Sequence, residues 1–152
     1  MPVQDLLGAA GQLARAQREA GLDIARSVGA CRATVSLVRL LDGCGEAPLG
    51  QLAGSLRVDL SVASRQVSQA VQDGHVERSI GPDDRRIRTV RLTPAGQDLA
   101  ARLHQESADR AAVTFADWTD DELTAAATTL RRLADALTPR TTGHPARTID
   151  ES

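Results

Sequence analysis

Leu49, Leu52, Ala53 and Leu56 fall at i, i+3, i+4 and i+7, the spacing of one helical face, and Pro48 before them suits a first helical position. Ala63, Val67 and Ala70 recur at the same period. They predict a second helix that begins at Leu60 or Ser61, with Asp59 as its cap and Gly74 as its stop. The period then shortens to two. Val90 and Leu92 alternate with Thr89 and Arg91, so His75–Ile80 and Ile87–Leu92 read as strands around Gly81-Pro82-Asp83-Asp84-Arg85-Arg86. Thr93-Pro94, a capping hydroxyl followed by proline, opens a long helix expected to reach about Asp117. Helix, turn, helix, strand, basic loop and strand together make a winged helix-turn-helix. The expected fold class is mainly α with a small β-wing.

The flanks are helical as well. Residues 5–28 carry a small apolar stripe of Leu6, Leu7, Ala10, Leu13 and Ala14, interrupted by Gly8, Gly11 and Gly21. Val35, Val38 and Leu41 predict a helix over Ala30–Leu41, ended by Gly43-Cys44-Gly45. Thr119-Asp120-Asp121-Glu122 is a capping box, and Leu123, Leu130, Leu133, Ala134 and Leu137 give the last helix its stripe. Beyond Pro139 the Thr-, Gly-, Pro- and Arg-rich tail, 139–152, reads as disordered.

Composition changes this picture in two ways. Phe115 and Trp118 are the only aromatic residues, so the core must be built from Ala, Leu and Val. All 18 basic residues are arginine, whose fork matches phosphates and guanine edges better than an ammonium group does, although a coding bias toward Arg, Ala and Gly accounts for the usage better. The net charge of −2 excludes a uniformly basic nucleic-acid binder. From Pro48 to Pro94, however, seven arginines stand against five acids, a net +2. From Ala95 to Thr138 four arginines stand against eight acids, a net −4. A basic block beside an acidic helical block suits a DNA face and a separate assembly or sensing part. Residues 1–30 lack an apolar core behind a basic start, and no run approaches the ~18 apolar residues of a membrane span. A cytoplasmic location, with no membrane partner, is expected.

The chemistry concentrates in two places. A helix fits the major groove of B-DNA, where base edges are distinguishable. The exposed face of the helix from Ser61 to Asp73 would carry Ser61, Ser64, Arg65, Ser68 and Gln69. Small hydroxyls allow close approach, Arg65 can fork onto guanine, and Gln69 can bond adenine or a phosphate. A solvated amphipathic helix would show the same residues, and the strand-loop-strand that follows favours the reading helix. At the loop, Arg85, Arg86 and Arg88 cannot all enter a core, and arginine inserted into a narrow minor groove is a way of reading DNA shape. Asp84 is placed to hold Arg86 by a short ion pair. An exposed charged turn is the plainer alternative.

The stretches Ser61 to Arg65, Asp73-Gly74-His75-Val76-Glu77-Arg78, Asp83-Asp84-Arg85-Arg86 and Leu92-Thr93-Pro94-Ala95-Gly96 resemble the MarR family of bacterial transcription regulators. The resemblance covers about residues 30–138 and is most specific over 48–96. It implies a homodimer paired through the first and last helices, binding to a palindromic operator in double-stranded DNA, usually repression, and often relief by a small ligand or by oxidation. The implied division is an N-terminal dimerisation helix over 1–29, a DNA-binding lobe over 30–94, and a long helix plus C-terminal dimerisation helix over 95–138. Ser61, Ser64 and Arg65 match the family's major-groove positions, and Asp84 and Arg86 match its wing pair. The chain departs from the pattern at Leu60, where Pro is frequent, and at Gln66, where a buried Leu is common. Arg57 stands where Gly or Asn is usual. Val62 replaces a hydroxyl and offers a contact to a thymine methyl instead.

No cofactor is expected. A phosphate-binding glycine loop, a nucleophile elbow and a metal-ligand cluster are all missing from the sequence, so no enzyme is expected either. His75, His104 and His144 are scattered. Cys31, near a helix start, is placed for a lowered thiol pKa, and Cys44 sits in a Gly-flanked loop. A helix between them separates the two by roughly 20 Å, too far for a disulfide. The family's peroxide-sensing branch pairs its cysteine with Tyr, which this chain lacks. An effector pocket would have aliphatic walls, with Trp118 among them. A winged helix used for protein interaction or dimerisation without specific DNA binding is the rival reading. An interaction module has no need for Arg85, Arg86 and Arg88 at its wing.

Overall fold

Proline at position 2 opens the first helix, α1 (Pro2–Ser27), because the missing N–H of a first-turn proline had no helical partner to lose. The computed structural model describes residues 1–80 and 88–138. The remaining helices are α2 (Arg32–Cys44), α3 (Leu49–Leu56), α4 (Leu60–Gln72), α5 (Pro94–Thr114) and α6 (Asp120–Leu137). Three strands, β1 (Glu46–Pro48), β2 (Val76–Ile80) and β3 (Arg88–Leu92), form an antiparallel sheet in the order β1-β3-β2. The chain divides into two compact units, Met1–Ala112 and the part from Val113 onward. Among the described residues no helix is long and apolar enough to cross a membrane. Residues 81–87, expected as the basic loop, and 139–152, expected as a disordered tail, lie outside the described residues.

α2 organises the first unit, because it is apolar on two sides. Val35 and Val38 pack with Ile24, Ala25 and Val28 of the end of α1 and with Leu99, Ala100 and Leu103 of α5. Leu37 and Leu41 pack with Leu52 of α3, Val67 and Ala70 of α4, and Ala47, Val76 and Val90 of the sheet. These side chains are small aliphatics throughout, as the near-absence of aromatics requires.

Chain reversals rest on a repeated device. α1 and α4 both end on a glycine at positive φ, Gly29 and Gly74, whose neighbours satisfy the last carbonyls: Ala30 N–H donates to Ala25 O, and His75 N–H to Ala70 O. α3 ends in the same geometry with Arg57 in the left-handed position, at φ 54 and ψ 46. Among the described residues it is the one non-glycine residue with positive φ. A side chain there costs about 1–2 kcal/mol, which glycine relieves, less the entropy glycine adds to the unfolded chain. Arg57→Gly is therefore expected to raise the urea midpoint, by a gain of up to about 1 kcal/mol. A loss would show that the Arg57 side chain makes a stabilising contact.

The structure corrects several expectations. α2 runs on to Cys44, and Gly45, at φ 77, stops it. Pro48 caps α3 rather than opening it, because it also closes β1, a strand the pattern did not predict. As an edge strand β1 tolerates a proline that donates nothing to the sheet. Thr89, expected on the outer face, is buried in the central strand, where its hydroxyl donates to Glu46. Asp59 sits at the cap of α4 but makes no side-chain cap bond. α5 stops at Thr114 rather than near Asp117. The Thr119–Glu122 capping box forms as expected, with both reciprocal bonds.

Candidate nucleic-acid interface

Ala63, Val67 and Ala70 fix the rotation of α4 by burying one stripe against α2 and the sheet. The opposite face follows from helical geometry. Ser61, Arg65 and Gln69 are exposed, and Val62, Ser64 and Ser68 are half-buried. The structure thus brings together six of the residues expected to read DNA. Two of them have internal partners. Gln69 Nε2 donates to Asp73 Oδ1 at 2.9 Å, so its amide is held along the helix. The Ser68 hydroxyl accepts from Arg78 Nη2 at 2.9 Å, from the neighbouring strand. Arg88 is exposed at the first position of β3, opposite Ile80. Asp84, Arg85 and Arg86 fall within 81–87, outside the described residues.

The exit of α4 is tied to the start of α5. Thr93 Oγ1 donates to the Gly74 carbonyl at 2.6 Å, and Thr93 N–H donates to the His75 carbonyl at 3.1 Å. The same hydroxyl accepts from Gly96 N–H at 3.1 Å and so caps α5. A β-carbon at Gly96 would overlap the His75 carbonyl oxygen and lie 3.2 Å from Leu92 Cδ2. His75 Nδ1 is buried beside this knot without a hydrogen-bond partner among the described residues.

Cys31 is the N-cap of α2 and Cys44 its last residue, and both are exposed. The Thr34 hydroxyl, 3.2 Å from Cys31 Sγ, and the Thr34 N–H hold the Cys31 thiol below its usual range. Lying at opposite ends of one helix, the two cysteines are kept apart as helical geometry predicts. Among the described residues no cluster of three metal-ligating side chains occurs.

One cavity in the first unit, unlike the aliphatic pocket expected, is lined by arginines, and a second, of about 340 Å³, opens between α2 and α5 beside Ala100 and Leu103. The first, of about 360 Å³, opens between α1 and α2, lined by Arg18, Arg32 and Arg39 together with Gln17, Val35 and Ser36. Trp118 is not among its walls. That residue stacks edge-to-face on Phe115 in the second unit, with ring centroids 5.4 Å apart. Three guanidiniums and no carboxylate favour an anion. Arg32 adds to this, since it opens α2, where the helix dipole already presents positive charge.

Residues 23–87 match the model of the MarR family. An uncharacterized HTH-type transcriptional regulator of Bacillus subtilis, YxaD, is 29% identical over 91 residues, 60% of this chain. The chain spans 64% of the length of that curated relative. Among solved structures, wild-type MarR (apo form) from E. coli superposes with a TM-score of 0.67 at 23% identity, covering 91% of this chain and 98% of that one. A cysteine-to-serine variant of E. coli MarR, complexed with operator DNA, gives 0.67 at 23% identity over 91% and 95%. A MarR family regulator from Silicibacter pomeroyi gives 0.69 at 23% over 88% and 92%. Sequence match and fold agree: residues 23–87 match the MarR family model, and the chain carries the winged-helix fold of the MarR structures it superposes on.

Proposed function

We propose that the chain is a homodimeric transcription regulator of the cytoplasm that represses by binding a palindromic operator. α4 enters the major groove, and the wing residues Asp84, Arg85, Arg86 and Arg88 meet the adjacent minor groove. The carrying observation is the rotation of α4. Its buried alanine-valine stripe leaves Ser61, Ser64 and Arg65 on the open face of a winged helix. The E. coli relative solved with operator DNA supports the same reading.

Residues 30–94 are the reading lobe in this proposal, and 1–29 and 95–138 carry dimerisation. Leu6, Leu7 and Leu13 of α1 and Leu123, Leu130 and Leu137 of α6 are all exposed in the single chain, at 36% or more. A second copy would cover such stripes. The arginine-lined cavity supports relief by a small anionic ligand.

The first test is binding of the full chain to the DNA upstream of its own gene, with random DNA as competitor and salt varied. Competition-resistant, salt-dependent binding with a two-fold footprint is expected. Weak and equal binding to all DNA would favour a protein-interaction module or a DNA-compacting role instead. In the same assay Arg86→Ala is expected to weaken binding about tenfold. Unchanged affinity in a folded variant would remove the wing from the mechanism.

A further inference from the structure

The pleat places Val76, Arg78 and Ile80 on one face of β2. Val76 on that face is buried among Val67 and Ala70 of α4, and Val90, the register partner of Arg78, is buried too. Arg78 therefore stands where the alternation would place an apolar residue, one step past the edge of the core. From there it reaches α4 and donates to Ser68 Oγ. Ser68 shares its helix face with Ser61, Ser64 and Arg65.

The hydrogen-bond inventory of this pair is incomplete in a specific way. Among the described residues no carboxylate pairs with Arg78, and the adjacent Glu77 is bound to Arg91 at 2.7 Å. A guanidinium has five N–H donors, and Ser68 uses one of those on Arg78. Because Ser68 accepts from Arg78, its own O–H proton stays available to donate. Two kinds of donor, one of them charged, thus sit side by side at the flank of the reading helix.

We propose that Ser68 and Arg78 form a joint clamp for one DNA phosphate. The Ser68 O–H donates to one phosphate oxygen and an Arg78 N–H to another. Such a contact sets the register of the helix in the groove and adds affinity without sequence preference. The proposal rests on the DNA-reading function above.

The test uses the full chain and two duplexes of equal length: one selected by the wild-type chain from a random-sequence pool, and one scrambled. Wild-type binding is measured first. If the wild-type chain selects and binds no duplex, the DNA-reading function itself fails. Arg78→Ala is expected to weaken binding several-fold on both duplexes alike. It should also make the slope of log affinity against log salt shallower by about 0.9 per protomer. Arg78→Lys is expected to keep the slope and recover part of the affinity. Ser68→Ala should weaken binding in the wild-type background and cost less when Arg78 is already alanine. Far-UV circular dichroism checks folding. Should Arg78→Ala misfold, Arg78→Gln, which retains part of the stem and a neutral donor, must show the same change of slope. An unchanged slope in a folded neutral variant overturns the proposal. So does a loss confined to the selected duplex, which would mark a base contact, or strict additivity of the two substitutions, which would mark separate sites.

Discussion

Gly96→Ala is expected to destabilise the protein by at least about 3 kcal/mol, in the range of severe core overpacking. The added β-carbon would overlap the His75 carbonyl oxygen, which accepts the Thr93 N–H, and would press within 3.0 Å of the carbonyl carbon. Neither atom can swing away as a flexible side chain can. Both belong to the backbone that joins the end of α4 to the start of β2. Relief requires α5 to lift from the sheet, which opens the contact of Leu99 and Leu103 with α2. Gly54→Ala is the control. Gly54 lies inside α3 with open space around its α-carbon, so alanine there is expected to gain up to about 1 kcal/mol in helix propensity. Urea unfolding of the two variants decides the matter. A Gly96→Ala protein as stable as wild type would mean that the α4–α5 knot is looser than its geometry implies.

Arg65→Ala is expected to carry the largest functional loss, on the order of 1–3 kcal/mol for an operator with guanine at the contacted position, or about five- to 150-fold in affinity. Arg65 is exposed on the open face of α4, and no partner within the chain holds it among the described residues. Its fork is therefore free to meet the O6 and N7 edge of guanine. The discriminating measurement compares the selected duplex with the scrambled one. A base contact makes the loss larger on the selected duplex. Arg65→Lys should recover little of it, since an ammonium group keeps the charge but not the paired geometry. An equal loss on both duplexes would reassign Arg65 to the phosphate backbone.

Much of this was legible along the chain, and the limits have physical causes. α4 could be read because its period, its stop at Gly74 and its small buried residues are all local signals. The same is true of the Thr119 capping box and of the Thr93-Pro94 start of α5. β1 was not legible. Glu46-Ala47-Pro48 is three residues long, has no alternation to detect, and exists because β3 offers it an edge. Thr89 was misplaced for a related reason: alternation separates apolar from polar, but it cannot see that Glu46 arrives across the sheet to satisfy a buried hydroxyl. Arg78 left a trace that went unread, an arginine in phase with Val76. The arginine-lined cavity left none, since residues 18, 32 and 39 meet only once α1 packs on α2. The apolar stripes of α1 and α6 were visible as stripes, and the single chain leaves them exposed. The wing residues Asp84, Arg85 and Arg86 rest on sequence alone.

The two exposed thiols at the ends of α2 bear on every solution experiment named above. They cannot close on each other within a chain, so in air they join only different chains. One joint links a pair. A second joint, at the far end of the same helix, extends the pair into a string wherever it reaches a third chain. Handled without reductant, the protein should therefore give a ladder of covalent multimers on a non-reducing gel. Its mass in solution would then report oxidation instead of assembly. The variant that lacks both thiols, Cys31→Ser with Cys44→Ser, is the form in which a true non-covalent dimer can be weighed.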